Sequence, residues 1–157
     1  MANASPERRE PGVEDIERWQ RGIAAEKKAV QDAAAKLAEA RGDEQAKLEA
    51  LSAALEMNTL DVGAAAAGVD RDAYRRIRSV LSEAVSTLSP LESEMDVSQM
   101  PEAMVQQMKE GREQSAAQLA GRISPELFAA LKARAGELRQ QDKELVAERL
   151  KVASAAR

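Results

Sequence analysis

Apolar residues recur along most of the chain at intervals of three and four positions, the spacing that places them on one face of an α-helix. One stripe begins near Val13 and ends before Arg41-Gly42-Asp43, a break that offers an aspartate as the next helix cap. Another follows Ser124-Pro125-Glu126 and continues as a heptad line towards the carboxyl terminus. The first stripe, with its intervening seam positions, comprises Ile16, Trp19, Ile23, Glu26, Val30, Ala33 and Leu37, and the last comprises Leu131, Leu138, Leu145 and Val152.

The clearest turn between these two stripes is Gly68-Val69-Asp70. Its glycine suits the left-handed conformation that ends a helix, and its aspartate can cap the next one. The helix that follows is predicted to stop at Ser89-Pro90. Before the turn, a helix is predicted to pause near Asn58-Thr59 and to resume through 64–67. The apolar faces of these two helices are Tyr74, Ile77, Leu81, Ala84 and Leu88 after the turn, and Leu48, Leu51 and Leu55 before it.

A further helix is predicted from about Ser98 to Gly121, and the turn that ends it resembles the earlier one. In both turns an apolar residue precedes the cap, and an aromatic residue follows five positions later. The pairs are Val69 with Tyr74 and Ile123 with Phe128. These are the two positions of a hydrophobic staple, so the sequence predicts two helical hairpins of similar build.

The composition agrees with an all-helical fold. Hydrophobic residues make up 44% of the chain and aromatic residues 2%, and the chain contains 8 glycines and 5 prolines. A chain rich in Ala, Leu, Glu, Lys, Arg and Gln loses little entropy on becoming helical, whereas the strand-favouring residues are too few to build a sheet. The prediction is an all-α, antiparallel bundle of four to five helices in one domain over residues 13–157, preceded by a disordered tail over residues 1–12.

The absence of histidine and cysteine narrows the chemistry. It excludes imidazole bases, thiolate nucleophiles, disulfides and the usual ligands of zinc, haem iron and copper, so neither an enzyme nor a cofactor is expected. A net charge of −4 gives no overall attraction to nucleic acid or to anionic membranes. No apolar run is long enough to predict a membrane span. As written, the chain is expected in the cytoplasm; removal of an export signal would instead indicate the periplasm or cell envelope.

The segment Thr59–Arg78 resembles the helix-turn-helix of TetR-like bacterial transcription factors, in which an Ala-Gly-Val-Ser/Thr turn precedes the recognition helix. The resemblance implies that the arginines of the second helix contact phosphates or base edges. Two residues depart from the motif, because Gly63 replaces an aliphatic core residue and Asp70 replaces a hydroxyl beside the DNA. The segment from Asp43 to Leu88 carries eight acids and five bases, a poor balance for phosphate binding. The candidate phosphate contacts are Arg71, Arg75, Arg76 and Arg78.

The same turn with its aromatic residue, Gly68 to Ile77, is also similar to segments of small exported helical proteins of bacteria, many of them lipoprotein-like and uncharacterised. That resemblance implies a location in the cell envelope and no activity. It leaves the compartment open between the cytoplasm and the envelope.

Met100, Met104 and Met108 recur every four residues on one predicted helix face. Such a stripe is usually core filler, but pliable methionines also line grooves that bind a partner or a lipid, and thioethers can bind Cu(I). These features favour a non-catalytic helical interaction or scaffold module, of bacterial origin, that binds a protein partner or associates with itself through its heptad lines. The alternatives are a helix-turn-helix DNA-binding regulator and a carrier of a hydrophobic ligand.

Overall fold

The computed structural model describes residues 10–156, and this part of the chain is all-α. It contains seven helices and no strand. Of the predicted disordered tail, residues 1–9 lie outside the described part of the chain. The helices are α1 (Glu14–Glu39), α2 (Glu44–Ala53), α3 (Glu56–Ala67), α4 (Arg71–Leu88), α5 (Leu91–Glu94), α6 (Glu102–Ala120) and α7 (Pro125–Ala155).

Three helices begin at a side-chain cap that the sequence predicts. Asp43, Asp70 and Ser124 each accept a hydrogen bond from the backbone N–H three residues later, at 3.1, 2.8 and 3.1 Å. Each bond satisfies one of the amides that have no partner inside the helix. Gly68, with φ at +74°, ends α3 in the left-handed conformation. The predicted ends of these helices are therefore confirmed.

The predicted pause at Asn58-Thr59 is wrong, because the break between α2 and α3 lies at Ala54-Leu55. Leu55 is extended, and the Asn58 amide donates back to the carbonyl of Ser52, which closes the turn from within α3. The predicted leucine face of α2 enters the core only in part, since only Leu51 packs against it, half-buried. Leu48 and Leu55 are exposed, and the small residues Ala50 and Ala54 are buried instead.

The core forms where α1, α3, α4 and α7 meet. Every apolar position of the predicted heptad lines on α1 and α7 is buried. The contacts from Gln20 to Gln141 and from Lys27 to Glu144 occur in the same order along the two helices, so α1 and α7 run in the same direction. In contrast, α3 runs against α1, because Arg21 reaches the carbonyls at the end of α3 whereas residues later in α1 meet its beginning.

The two resembling turns do not produce similar hairpins. Gly121 ends α6 in a right-handed conformation, unlike Gly68. After the second turn Leu127 is fully buried and Phe128 only half-buried, whereas Tyr74 is fully buried after the first. Among the residues of α6, only Leu119 is buried. The second hairpin is therefore packed much more loosely than the first. Within residues 10–156, no helix combines the length and the apolar character needed to cross a membrane.

Candidate functional site

A carboxylate lies at the centre of the four-helix core. Glu26 of α1 occupies a heptad seam position and is 0% exposed. Its Oε2 accepts a hydrogen bond from the Tyr74 hydroxyl at 2.6 Å, and its Oε1 accepts one from the Thr59 hydroxyl at 2.9 Å. The guanidinium groups of Arg149 and Arg78 reach the same Oε1 at 3.0 and 3.3 Å. These five residues, called here the Glu26 cluster, come from α1, α3, α4 and α7.

Two glycines make room for the ring of Tyr74. A Cβ atom on Gly63 of α3 would lie 2.7 Å from the ring, and one on Gly22 of α1 would overlap it. The ring therefore passes between two helix backbones to reach Glu26. Burial, followed by the charge of Glu26 and the hydrogen bond to it, raises the pKa of Tyr74. The phenol therefore keeps its proton and donates a hydrogen bond to Glu26.

The Glu26 cluster is closed and structural. Two cations and two hydroxyls surround one carboxylate, which compensates much of the cost of placing that charge away from water. Arg149 of α7 turns its Nη2 inwards to Thr59 at 2.7 Å and to Glu26. The sequence gives one signal for this cluster, the charged residue on an otherwise apolar seam. It gives none for the partners.

A second polar network anchors α5 to α7. Arg139 binds both oxygens of Glu94, at 2.8 and 3.0 Å, and its hydrogen bond is the main reason that the pKa of Glu94 falls to about 2. Arg139 also lies 3.5 Å from Asp142, which accepts a hydrogen bond from Ser82 of α4 at 2.6 Å. Asp142 is half-buried, and the cation beside it lies one turn away on the same helix.

The helix α6 is attached through its carboxyl-terminal half. Arg112 donates from Nη2 to the carbonyls of Ser86, at 2.8 Å, and of Ser89, where α4 ends and its carbonyls lack helical partners. Leu119 is buried two turns further along. No residue between 102 and 111 is buried, so the amino-terminal half of α6 extends away from these anchors.

The exposed half of α6 and the segment before it carry apolar side chains that no described neighbour covers fully. Met95 and Met104 are 42% and 46% exposed, and the others are half-buried. Val97, Met100 and Val105 line a groove that is open to solvent, and Met104 and Met108 lie outside its lining. None of the three predicted methionines belongs to the buried core, so the core-filler interpretation does not fit. This set, called here the methionine surface, is Met95, Val97, Met100, Met104, Val105 and Met108.

The four arginines proposed as phosphate contacts differ in exposure and in partners. Arg78 points into the interior, where it binds Glu26 and Glu56. Arg71 is half-buried, with its Nε 3.7 Å from a carboxylate oxygen of Asp61. Only Arg75 is exposed, and Arg76 is half-buried. Acidic residues of α1 and α3 therefore pair with two of the arginines, Arg71 and Arg78, that the helix-turn-helix resemblance places against DNA.

Among the described residues, the Glu26 cluster is polar and closed, whereas the methionine surface is apolar and open. Every member of the Glu26 cluster contacts another member, whereas the methionine surface faces solvent. A binding site needs access, and of these two regions the methionine surface offers it. Comparisons of the chain with models of known protein families, with curated proteins and with solved structures gave no match.

Proposed function

We propose that this chain is a non-catalytic helical interaction module that binds a protein partner through the methionine surface. The observation that carries the proposal is the contrast within α6. Its carboxyl-terminal half is fixed by Arg112 and Leu119, and its amino-terminal half keeps methionine and valine side chains at the surface. Contiguous exposed apolar residues on a folded chain are typical of interaction sites.

The shape and chemistry of the surface suit a helix better than a small molecule. The groove beside Met100 and Val105 is open to solvent, whereas small-ligand sites enclose most of their ligand. Methionine side chains are flexible and polarisable, and they adapt to apolar faces of different shape. An amphipathic helix lying in such a groove places residues spaced three and four apart on it.

The exposed apolar side chains provide part of the binding free energy. Covering the exposed half of one methionine stabilises a complex by about 1 kcal/mol, since full burial is worth about 1.5–3 kcal/mol. The helix α6 is already formed, so little backbone entropy is lost on this side of the interface, whereas ordering each methionine side chain costs about 0.5–1.5 kcal/mol. We therefore expect weak, transient binding rather than a tight complex.

A display experiment tests this proposal. A library of random amphipathic helical peptides is selected for binding to the full chain, and each binder is then measured against two variants. Met104→Glu places a charge on the methionine surface. Leu150→Glu is the matched control, because Leu150 of α7 is 62% exposed and lies outside that surface.

We expect most selected peptides to lose at least tenfold in affinity for Met104→Glu and to bind Leu150→Glu as they bind the unchanged chain. Peptides that bind all three proteins equally would show that the methionine surface is not the contact. Circular dichroism of the variants checks that both remain helical.

A further inference from the structure

Resting on the proposed function, we infer that the segment bound by the methionine surface is a cationic amphipathic helix. The first ground is the local charge. Residues 92–110 contain five acids, and Lys109 is their only basic residue, so this short segment alone carries a net charge of −4. The whole chain has the same net charge, −4, so the remaining residues balance to zero. The acids are Glu92, Glu94, Asp96, Glu102 and Glu110.

Ion pairs within the protein leave part of that charge uncompensated. Lys109 lies 2.9 Å from Glu92, and Glu94 is bound by Arg139 of α7. Asp96, Glu102 and Glu110 form no ion pair with any residue of the described range 10–156. Hydrogen bonds from Ser98, first from its side chain and then from its backbone amide at 2.9 Å, lower the pKa of the Asp96 carboxyl group. These three carboxylates therefore have no ion-pair partner among the described residues.

One of the three carboxylates lines the groove and the other two adjoin its lining. The lining also contains Lys109, whose charge is paired with Glu92. Glu102 lines the groove together with Met100 and Val105. Asp96 directly precedes Val97, which lines the groove. Glu110 lies one helical turn after Gln106, another lining residue, and accepts a hydrogen bond from its side-chain amide at 3.3 Å. An apolar floor with carboxylates at its margins is complementary to a helix that has an apolar stripe flanked by lysines or arginines.

The same charge argues against other occupants. A second copy of the chain would bring an equally acidic surface against this one, and like charges close together are destabilising. Anionic lipid headgroups and nucleic-acid phosphates would be repelled in the same way. The cationic helix is the occupant that satisfies both the apolar and the charged parts of the surface.

Three synthetic helices test the inference. They share one leucine stripe, and their polar faces carry lysine, glutamine or glutamate. Fluorescence anisotropy of each labelled peptide is measured against the full chain at low and at physiological salt. We expect the lysine peptide to bind about tenfold more tightly than the glutamine peptide, since three exposed charge pairs that each strengthen binding about twofold together give roughly this factor. The glutamate peptide should bind most weakly. Raising the salt concentration should reduce the differences in affinity between the three peptides.

Two triple variants locate the effect. The first, Asp96→Asn with Glu102→Gln and Glu110→Gln, removes the uncompensated carboxylates around the groove. We expect it to bind the lysine and glutamine peptides equally, with the affinity for the glutamine peptide unchanged. The control, Glu17→Gln with Glu39→Gln and Glu49→Gln, removes the same charge from exposed positions elsewhere and should keep the tenfold preference. Thermal unfolding confirms that both variants are folded.

Each remaining outcome has a defined meaning. Equal binding of the three peptides, lost in Met104→Glu, would overturn the cationic partner and leave the proposed function standing. Equal effects of the two triple variants would also overturn it, because the preference would then follow total charge. If no peptide bound the unchanged chain, or if binding did not depend on Met104, the proposed function and this inference would both be wrong.

Discussion

The Glu26 cluster and the methionine surface reverse the usual distribution of polar and apolar residues. In the first, a carboxylate with 0% exposure lies at the centre of the molecule, while in the second, methionines such as Met104 lie largely at the surface. Buried charges and exposed apolar groups are both unfavourable unless something compensates for them. The carboxylate has its compensation within the chain, from Thr59, Tyr74, Arg78 and Arg149.

The methionine surface has no such compensation among the described residues. This difference separates what stabilises the fold from what is available for binding. The Glu26 cluster joins four helices through groups that must all be present, so it favours one arrangement of α1, α3, α4 and α7 over other packings of similar apolar faces. The side chains of the methionine surface are apolar but are not packed within the core, which is typical of residues that contact another molecule.

The largest effect is expected from Glu26→Ala. This change leaves two guanidinium groups and the Tyr74 hydroxyl without their common partner, so we predict a loss of about 3 kcal/mol or more in the free energy of unfolding. Denaturant titration followed by circular dichroism measures it. Glu39→Ala, at an exposed position of the same helix, should change the free energy by less than about 0.5 kcal/mol. A similar small change in both variants would show that the cluster does not lock the core.

The glycines beside Tyr74 should come next. Gly63→Ala places a methyl group against the ring and should cost about 1–3 kcal/mol of stability. Gly136→Ala in α7 is the matched control, because nothing lies within 4 Å of its added methyl group. This substitution should stabilise the protein by up to about 1 kcal/mol through helix propensity. The predicted effects have opposite signs, and thermal melts of the two variants compare them directly. Equal signs would argue against the close approach of the ring.

A smaller effect concerns pH and the anchor of α5. The pKa of Glu94 is lowered to about 2 in the folded protein by Arg139, below its value of about 4.3 in an unfolded chain. Its stabilising contribution is therefore present above the unfolded pKa and is lost as the pH falls towards 2. We predict that the unfolding temperatures of the protein and of Glu94→Gln differ at pH about 6 and converge near pH about 2. A difference that is constant with pH would show that the Arg139 contact is not the cause.

The smallest effect on stability is expected on the methionine surface itself. Met104→Glu should change the free energy of unfolding by less than about 0.5 kcal/mol, because the side chain lies outside the core. By contrast, Leu131→Ala, at a fully buried position of α7, should cost about 2–5 kcal/mol. Urea titration of both variants tests this difference. A loss of more than about 1 kcal/mol in Met104→Glu would place the methionines in the packed core instead.

Much of the local structure is predictable from the sequence because its causes are local. Asp43, Asp70 and Ser124 cap helices through bonds to amides three residues away, and the heptad lines of α1 and α7 are buried as their spacing predicts. The helix break at Ala54-Leu55 was missed, because it depends on a side chain bonding back across the turn.

The Glu26 cluster is not predictable in this way. Thr59 and Arg149 lie 33 and 123 positions from Glu26, and their meeting requires the directions of α1, α3 and α7 to be known. The exposure of the methionines is likewise not predictable from the sequence. Their spacing predicts a shared helix face, but whether another helix covers that face depends on how far α6 follows α4.

Amide hydrogen exchange of the full chain, with and without the lysine-faced peptide, tests most directly the division between a locked core and an open surface. In the free chain, we predict that the amides of residues 102–109 exchange much faster than those of residues 74–85. Saturating peptide should slow exchange over 102–109 and leave 74–85 unchanged. Equal protection of the two segments in the free chain, or no response of 102–109 to the peptide, would contradict the account.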